Sequence, residues 1–164
     1  MQPTVVRMGV VKLDITVARQ RFSYDSNLNP ACLYTKDWDP TTPLAVTGWG
    51  ITNTTKEVKS NVLLKTYVSV VPREWCNYSY PITRFRKLPQ GISSRQLCAG
   101  DPDGLHDTCK GDSGGPLQSL TEPDGQTRLV GVTSFGRGCG SPVPGVYTRL
   151  ARYLDWIESV VWPQ

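Results

Sequence analysis

From Leu44 through Ala45, Val46 and Thr47 to Trp49, apolar and polar positions alternate, and Asn61 to Val71 repeats the pattern with recurring β-branched residues. Such alternation belongs to strands that lay one face on a core. Pro116 to Leu120 and Arg128 to Phe135 read as two more strands, parted by a Pro123-Asp124-Gly125 turn signal. Met8 to Leu13 is a short apolar run that predicts another. The pattern turns helical in two places. Pro72-Arg73-Glu74-Trp75-Cys76 opens on a residue favoured in a first helical turn. In the tail, Leu150, Leu154, Ile157 and Val161 recur at helical spacing and predict an amphipathic helix whose stripe packs on the rest as core. Residues 34–43, with two prolines beside Trp38, read as a connecting loop.

A chain of 164 residues is long enough for one core of ordinary size. Its 15 glycines and 13 prolines fit a turn-rich globular protein, and no apolar run approaches membrane-spanning length, so no membrane partner is expected. The net charge of +4 is mild, its basic residues are scattered and no nucleic-acid motif accompanies them, so nucleic acid is not expected as a partner. Arg84, Arg86 and Lys87, between Thr83 and Pro89, read as a solvated loop rather than a patch for an acidic partner.

The five cysteines change the picture more. None forms a Cys-x-x-Cys pair and the chain has a single histidine, so neither a zinc site nor another cofactor is expected. They read as disulfide partners, which places the protein outside the cytosol, secreted. Two sequons, Asn53-Thr54-Thr55 and Asn77-Tyr78-Ser79, agree with a secreted glycoprotein. Met1-Gln2-Pro3-Thr4 has neither the basic start nor the apolar run of a signal peptide, so a front segment is expected to be missing.

The chemistry concentrates in Thr108-Cys109-Lys110-Gly111-Asp112-Ser113-Gly114-Gly115-Pro116. A serine between Gly-Asp and Gly-Gly-Pro cannot lie in a helix, and the glycines let a substrate chain come close. Successive amides from Gly111 to Ser113 can point into one concavity, where a developing oxyanion is stabilised. The competing reading is a Gly-rich turn with an incidental serine. The segment resembles the nucleophile segment of the chymotrypsin/trypsin-like serine endopeptidases. Thr47-Gly48-Trp49-Gly50, Gln96-Leu97-Cys98-Ala99-Gly100, Gly131-Val132-Thr133-Ser134-Phe135-Gly136 and Pro144-Gly145-Val146-Tyr147-Thr148 match that family in the same order.

The resemblance implies an all-β fold with a complete C-terminal Greek-key barrel, a C-terminal α-helix and a largely missing N-terminal barrel. Residues 1–33 would be the remnant of that first barrel, 34–43 the interdomain connection, and 44–164 the second barrel with its helix. It implies a trypsin-like hydrolase in which Ser113 is the nucleophile and the amides of Gly111 and Ser113 form the oxyanion hole. Asp107, six residues before the serine, matches the acid at the floor of the specificity pocket, and Gly136 and Gly145 match its walls. Acid below and glycine on both sides imply proteolysis after Arg or Lys. Asp112 matches the acid that pairs with a new amino terminus on zymogen cleavage. The resemblance also implies disulfides Cys76–Cys98 and Cys109–Cys139, and leaves Cys32 as a link to a propeptide or light chain.

Two registers compete for the triad acid. One places Arg7 at its position and the other supplies Asp14, whose alternative reading is a solvated turn residue. A serine also needs a base. His106 is the only histidine and sits on the pocket-wall loop, where an exposed loop residue is the better reading. Neither the family's histidine motif nor an Ile/Val-Val-Gly-Gly activation sequence occurs in the chain, so the isolated 164 residues are expected to be inactive. The expected partners are protein or peptide substrates with Arg or Lys before the cleaved bond, and protease inhibitors. The loop between Cys76 and Cys98 and the odd Cys32 look most like clip-type cascade proteases of invertebrates. The alternative function is a non-catalytic serine protease homologue acting as a binding or cofactor module.

Overall fold

Six antiparallel strands close on themselves into a barrel in the computed structural model of the chain, which describes residues 31–81, 88–120 and 124–162. The apolar run Met8 to Leu13, the acid Asp14, and the basic loop residues Arg84, Arg86 and Lys87 lie outside the described residues. The elements in order are β1 (Cys32–Leu33), β2 (Leu44–Gly48), β3 (Ile51–Asn53), β4 (Val58–Lys59), β5 (Leu64–Val71) and α1 (Arg73–Ser79). There follow β6 (Gln96–Gly100), β7 (Pro116–Ser119), β8 (Arg128–Phe135), β9 (Gly145–Arg149), a 3-10 turn (Leu150–Arg152) and α2 (Leu154–Val161).

The barrel runs β8–β7–β2–β5–β6–β9 and returns to β8. Closure pairs Gly131 with Arg149 and Thr133 with Tyr147, so the barrel keeps no open edge between β8 and β9. The remaining edge of β8 is taken by β1, which pairs in parallel, Cys32 opposite Arg128 and Leu33 opposite Leu129. The hairpin β3–β4 stands apart from the barrel as a two-stranded ribbon.

The barrel interior holds Leu44, Val46, Val68, Leu97, Leu117, Val130 and Tyr147. Leu44, Leu97 and Leu117 are each stabilising by about 1.5–3 kcal/mol through burial. Ala45 is buried as well, so both faces of β2 are covered at that point and the in–out alternation is lost there. A second cluster, with Tyr80, Ile92 and Val146, surrounds the Cys76–Cys98 disulfide and packs α1 against β6.

Three sequence expectations shift. Strand β5 begins at Leu64 rather than Asn61, because the Ser60 hydroxyl bonds with both the amide and the carbonyl of Val62 and turns the chain first. Pro72 is the N-cap of α1 in an extended conformation, ψ 140°, so the helix starts one residue later. The tail stripe is not core: α2 has no buried residue and Val161 is 44% exposed. That helix meets the 3-10 turn before it, and Leu154 and Ile157 are only half-covered.

The segment 34–43 is tied to the end of β9 by charge. Arg149 makes a two-pronged pair with Asp39, and Arg152 meets Asp37 at 3.0 Å. All five tryptophans lie between 48% and 69% exposed, which leaves broad apolar surface uncovered by the described residues. No helix among the described residues is long and apolar enough to cross a membrane.

Candidate active site

The Gly-rich segment sits between β6 and β7, in two successive turns. Asp112 N–H donates to the Cys109 carbonyl at 3.0 Å, and Gly115 N–H to the Asp112 carbonyl at 2.8 Å. The glycines on either side of Asp112-Ser113 take positive φ, +103° at Gly111 and +84° at Gly114, a region that side chains disfavour. The far end is pinned to β8 by Gly114 N–H to the Thr133 carbonyl, 2.9 Å, and Thr133 N–H to the Gly115 carbonyl, 2.8 Å. Ser113 is exposed at the crest. Among the described residues, the amides of Gly111 and Ser113 donate to no backbone acceptor. An exposed hydroxyl beside two uncommitted amides is an arrangement that can attack a carbonyl and hold the resulting oxyanion.

Asp112 points away from that crest. Its Oδ1 accepts from Gly50 N–H at 2.8 Å and its Oδ2 from Cys109 N–H at 2.9 Å. The turn Gly48-Trp49-Gly50 is shaped around this carboxylate. A Cβ at Gly48 would lie 1.9 Å from Oδ1, and one at Gly50 would lie 2.5 Å from Oδ2. Ile51 N–H also donates to the Lys110 carbonyl, 2.9 Å, and the Lys110 ammonium reaches Glu57 on the β3–β4 hairpin at 2.9 Å. The pairing lowers the Glu57 pKa and raises that of Lys110, but both side chains are well exposed.

Asp107 is half-buried between two segments joined by the Cys109–Cys139 disulfide. Its Oδ1 accepts from Thr108 N–H at 2.8 Å and its Oδ2 from Gly140 N–H at 3.0 Å. Burial raises its pKa above the ordinary carboxylate value; the Asp112 charge adds to this, and the amide hydrogen bonds oppose it. Gly136 and Gly145 face each other: a Cβ on Gly136 would lie 4.0 Å from the Gly145 Cα. A Cβ on Gly145 would come within 3.5 Å of the Thr108 hydroxyl, which is itself 3.3 Å from the Tyr147 hydroxyl. The structure therefore brings Gly136 and Gly145 close together, with Thr108, the neighbour of Asp107, beside Gly145.

His106 goes elsewhere. Its Nδ1 lies 2.6 Å from the Thr66 hydroxyl on β5, and its side chain is exposed. A cavity of about 490 Å³ opens at this place, lined by Gly48, Gly50, Thr66, His106, Asp107 and Asp112 among others. Ser113, Gly136 and Gly145 are not among its lining residues.

Several residues that hold the site were given no job by sequence reasoning. Gly48 and Gly50 were visible only as part of a matching motif, although two glycines around one tryptophan are a signal for close backbone approach. Asp101 accepts from the amides of Asp103, Leu105 and His106 and so orders the loop leading to Asp107; the Asp-Pro-Asp-Gly turn signal was its trace. Tyr80 is wholly buried and donates to the Pro144 carbonyl at 2.7 Å, bracing the wall that continues into Gly145. No local pattern marks that contact.

The trypsin family model matches residues 5–157, and the chain belongs to the trypsin family. It is 43% identical over 141 residues to serine protease Hayan of Drosophila melanogaster, covering 83% of this chain and 22% of that protein. It is 45% identical over 122 residues to the clotting factor G beta subunit of Tachypleus tridentatus, covering 74% of this chain and 39% of that protein. The solved structure of neuropsin, a serine protease of mouse brain, superposes with a TM-score of 0.69 at 32% identity, covering 86% of this chain and 57% of that one. The chain thus spans well under half the length of these two curated relatives.

Proposed function

We propose that the chain carries the nucleophile and specificity pocket of a secreted serine endopeptidase that hydrolyses peptide bonds after Arg or Lys. Ser113 attacks the carbonyl carbon, and the amides of Gly111 and Ser113 stabilise the oxyanion. Asp107 pairs with the cationic side chain that enters between Gly136 and Gly145. The observation that supports this reading is a half-buried carboxylate held by the amides of Thr108 and Gly140, next to a Thr108 side chain that borders Gly145. An Arg guanidinium there gains two charge-assisted hydrogen bonds that a neutral side chain forgoes.

Asp112 is the acid to which a new amino terminus would pair in zymogen activation. The cavity beside it supports that role, since it offers volume next to a carboxylate. Similarity to a protein named as a clotting factor subunit supports a place in a proteolytic cascade. Cys32, free and exposed, would be the link to a propeptide, and Asp14 is the proposed triad acid. Residues 44–164 act as one barrel with its helix, and 34–43 as the connection to whatever pairs with it.

The lone histidine favours a second reading for these 164 residues taken alone. With His106 committed to Thr66, nothing among the described residues deprotonates Ser113. Loss of a triad base costs about a millionfold in kcat in subtilisin, so a polypeptide limited to this chain is a binding module with negligible turnover. Two results test the pair of statements. A whole activated protease bearing this chain releases peptides ending in Arg or Lys, and Ser113→Ala abolishes the release; Ser113-dependent cleavage after Phe or Leu contradicts the specificity. Ser113-dependent hydrolysis of an Arg-amide by the 164 residues alone contradicts the want of a base.

A further inference from the structure

The two sequons occupy different surroundings. Asn53 ends β3 in an exposed hairpin, where its Oδ1 accepts from Thr55 N–H at 3.1 Å and Lys56 N–H at 2.9 Å. The carbonyl side of the amide is thus committed to the turn. Nδ2 has no protein partner among the described residues, and Thr54, Thr55 and Lys56 after it are exposed as well. A large group attached to Nδ2 would extend from the ribbon without disturbing the barrel or its core.

Asn77 is the reverse case. It lies within α1 and is half-buried, and its Oδ1 accepts from Ile92 N–H at 2.7 Å. Gly91 takes φ +70° against it, and a Cβ there would meet Oδ1 at 2.6 Å and Nδ2 at 4.0 Å. Ile92, which this bond positions, is 4% exposed in the cluster around the Cys76–Cys98 disulfide. A sugar on Nδ2 of this half-buried side chain would crowd the turn at Gly91, where an added Cβ would lie 4.0 Å from that nitrogen.

We propose that Asn53 carries an N-linked glycan and that Asn77 stays unmodified. The inference rests on the reading of the chain as secreted. The step uses a lipid-linked pyrophosphate oligosaccharide. A bond forms between Nδ2 of Asn53 and the anomeric carbon, and the bond from that carbon to the pyrophosphate oxygen breaks. The lipid pyrophosphate leaves with the electron pair, and one Nδ2 proton passes to a base of the transferase. Thr52 and Thr54 line the cavity beside Asp112, so the glycan stands at that cavity's outer rim.

The test is peptide mapping of the full 164-residue chain made in eukaryotic cells behind an appended cleavable signal, with total cell and secreted material both read. Thr55→Ala and Ser79→Ala each remove one sequon while leaving the asparagine and its turn or helix bond in place. Wild type and Ser79→Ala should carry one glycan, on Asn53, and Thr55→Ala none. A glycan on Asn77 in wild type, or a bare Asn53, overturns the proposal. The appended signal forces entry to the secretory route, so a failure of the natural chain to be exported would count against secretion alone.

Discussion

The Asp112 carboxylate is bonded at 2.8 Å to the amide of Gly50, a residue 62 positions earlier in the chain. This contact joins the nucleophile segment to the end of β2, and the absence of side chains at Gly48 and Gly50 is what lets it form. The turn that carries Ser113 is therefore braced by a carboxylate held between the amides of Gly50 and Cys109.

Gly48→Ala should test that support. The new methyl would sit 1.9 Å from Oδ1, so either the carboxylate leaves or the backbone moves. The expected cost is about 1–3 kcal/mol, read as a lower urea midpoint with an unchanged slope. In a whole activated protease bearing this chain, labelling of Ser113 by a serine-directed organophosphate should fall with it.

Gly136→Ala should behave in the opposite way. Its new methyl finds nothing closer than 3.8 Å, so stability should stay within about 0.5 kcal/mol of wild type. The methyl narrows the pocket wall, and affinity for an Arg-like ligand should drop in calorimetric titration. Equal loss in both measurements would remove Gly136 from the pocket.

Asp107 predicts a pH dependence with a definite sign. Burial raises its folded pKa above 3.8, so the folded chain keeps a proton that the unfolded chain has already lost. Its favourable contribution is full below that ordinary value and disappears as pH rises through the folded value. The stability of wild type relative to Asp107→Asn should therefore decline as pH rises from below the ordinary carboxylate value through the raised folded one. Chemical denaturation of both proteins across that range checks it; a difference that grows with pH would reverse the sign.

Tyr80→Phe removes a buried donor whose own pKa is pushed up to about 12, chiefly by burial, so the hydroxyl keeps its proton at any working pH. Loss of its bond to the Pro144 carbonyl should cost about 1–3 kcal/mol. Because Pro144 leads into Gly145, ligand affinity should fall as well, which a merely remote core change would not produce.

Strand β8 could be read end to end, Arg128 to Phe135, because alternation and a turn signal bound it. The ribbon β3–β4 could not: strands of three and two residues are too short for a period to show. The parallel seat of β1 on β8 depends on a partner 96 residues away and leaves no local trace. At the site, Ser113 stood out as a serine set among glycines, whereas Asp107, Gly136 and Gly145 stood out only through resemblance to the family. Their supports did not, since Gly50 beneath Asp112, Tyr80 behind Pro144 and Thr66 beside His106 come from segments distant in the chain. The tail helix misled because spacing gives a face, and the described residues cover that face only in part.

The most direct test is titration of the 164-residue chain with benzamidine, a rigid arginine mimic, followed by fluorescence or calorimetry. Wild type should bind it, and Asp107→Asn should weaken binding about tenfold or more, as expected for loss of a charge-assisted pair. Ser113→Ala should leave the affinity unchanged. Equal affinity in wild type and Asp107→Asn would contradict the claim that this acid selects Arg and Lys.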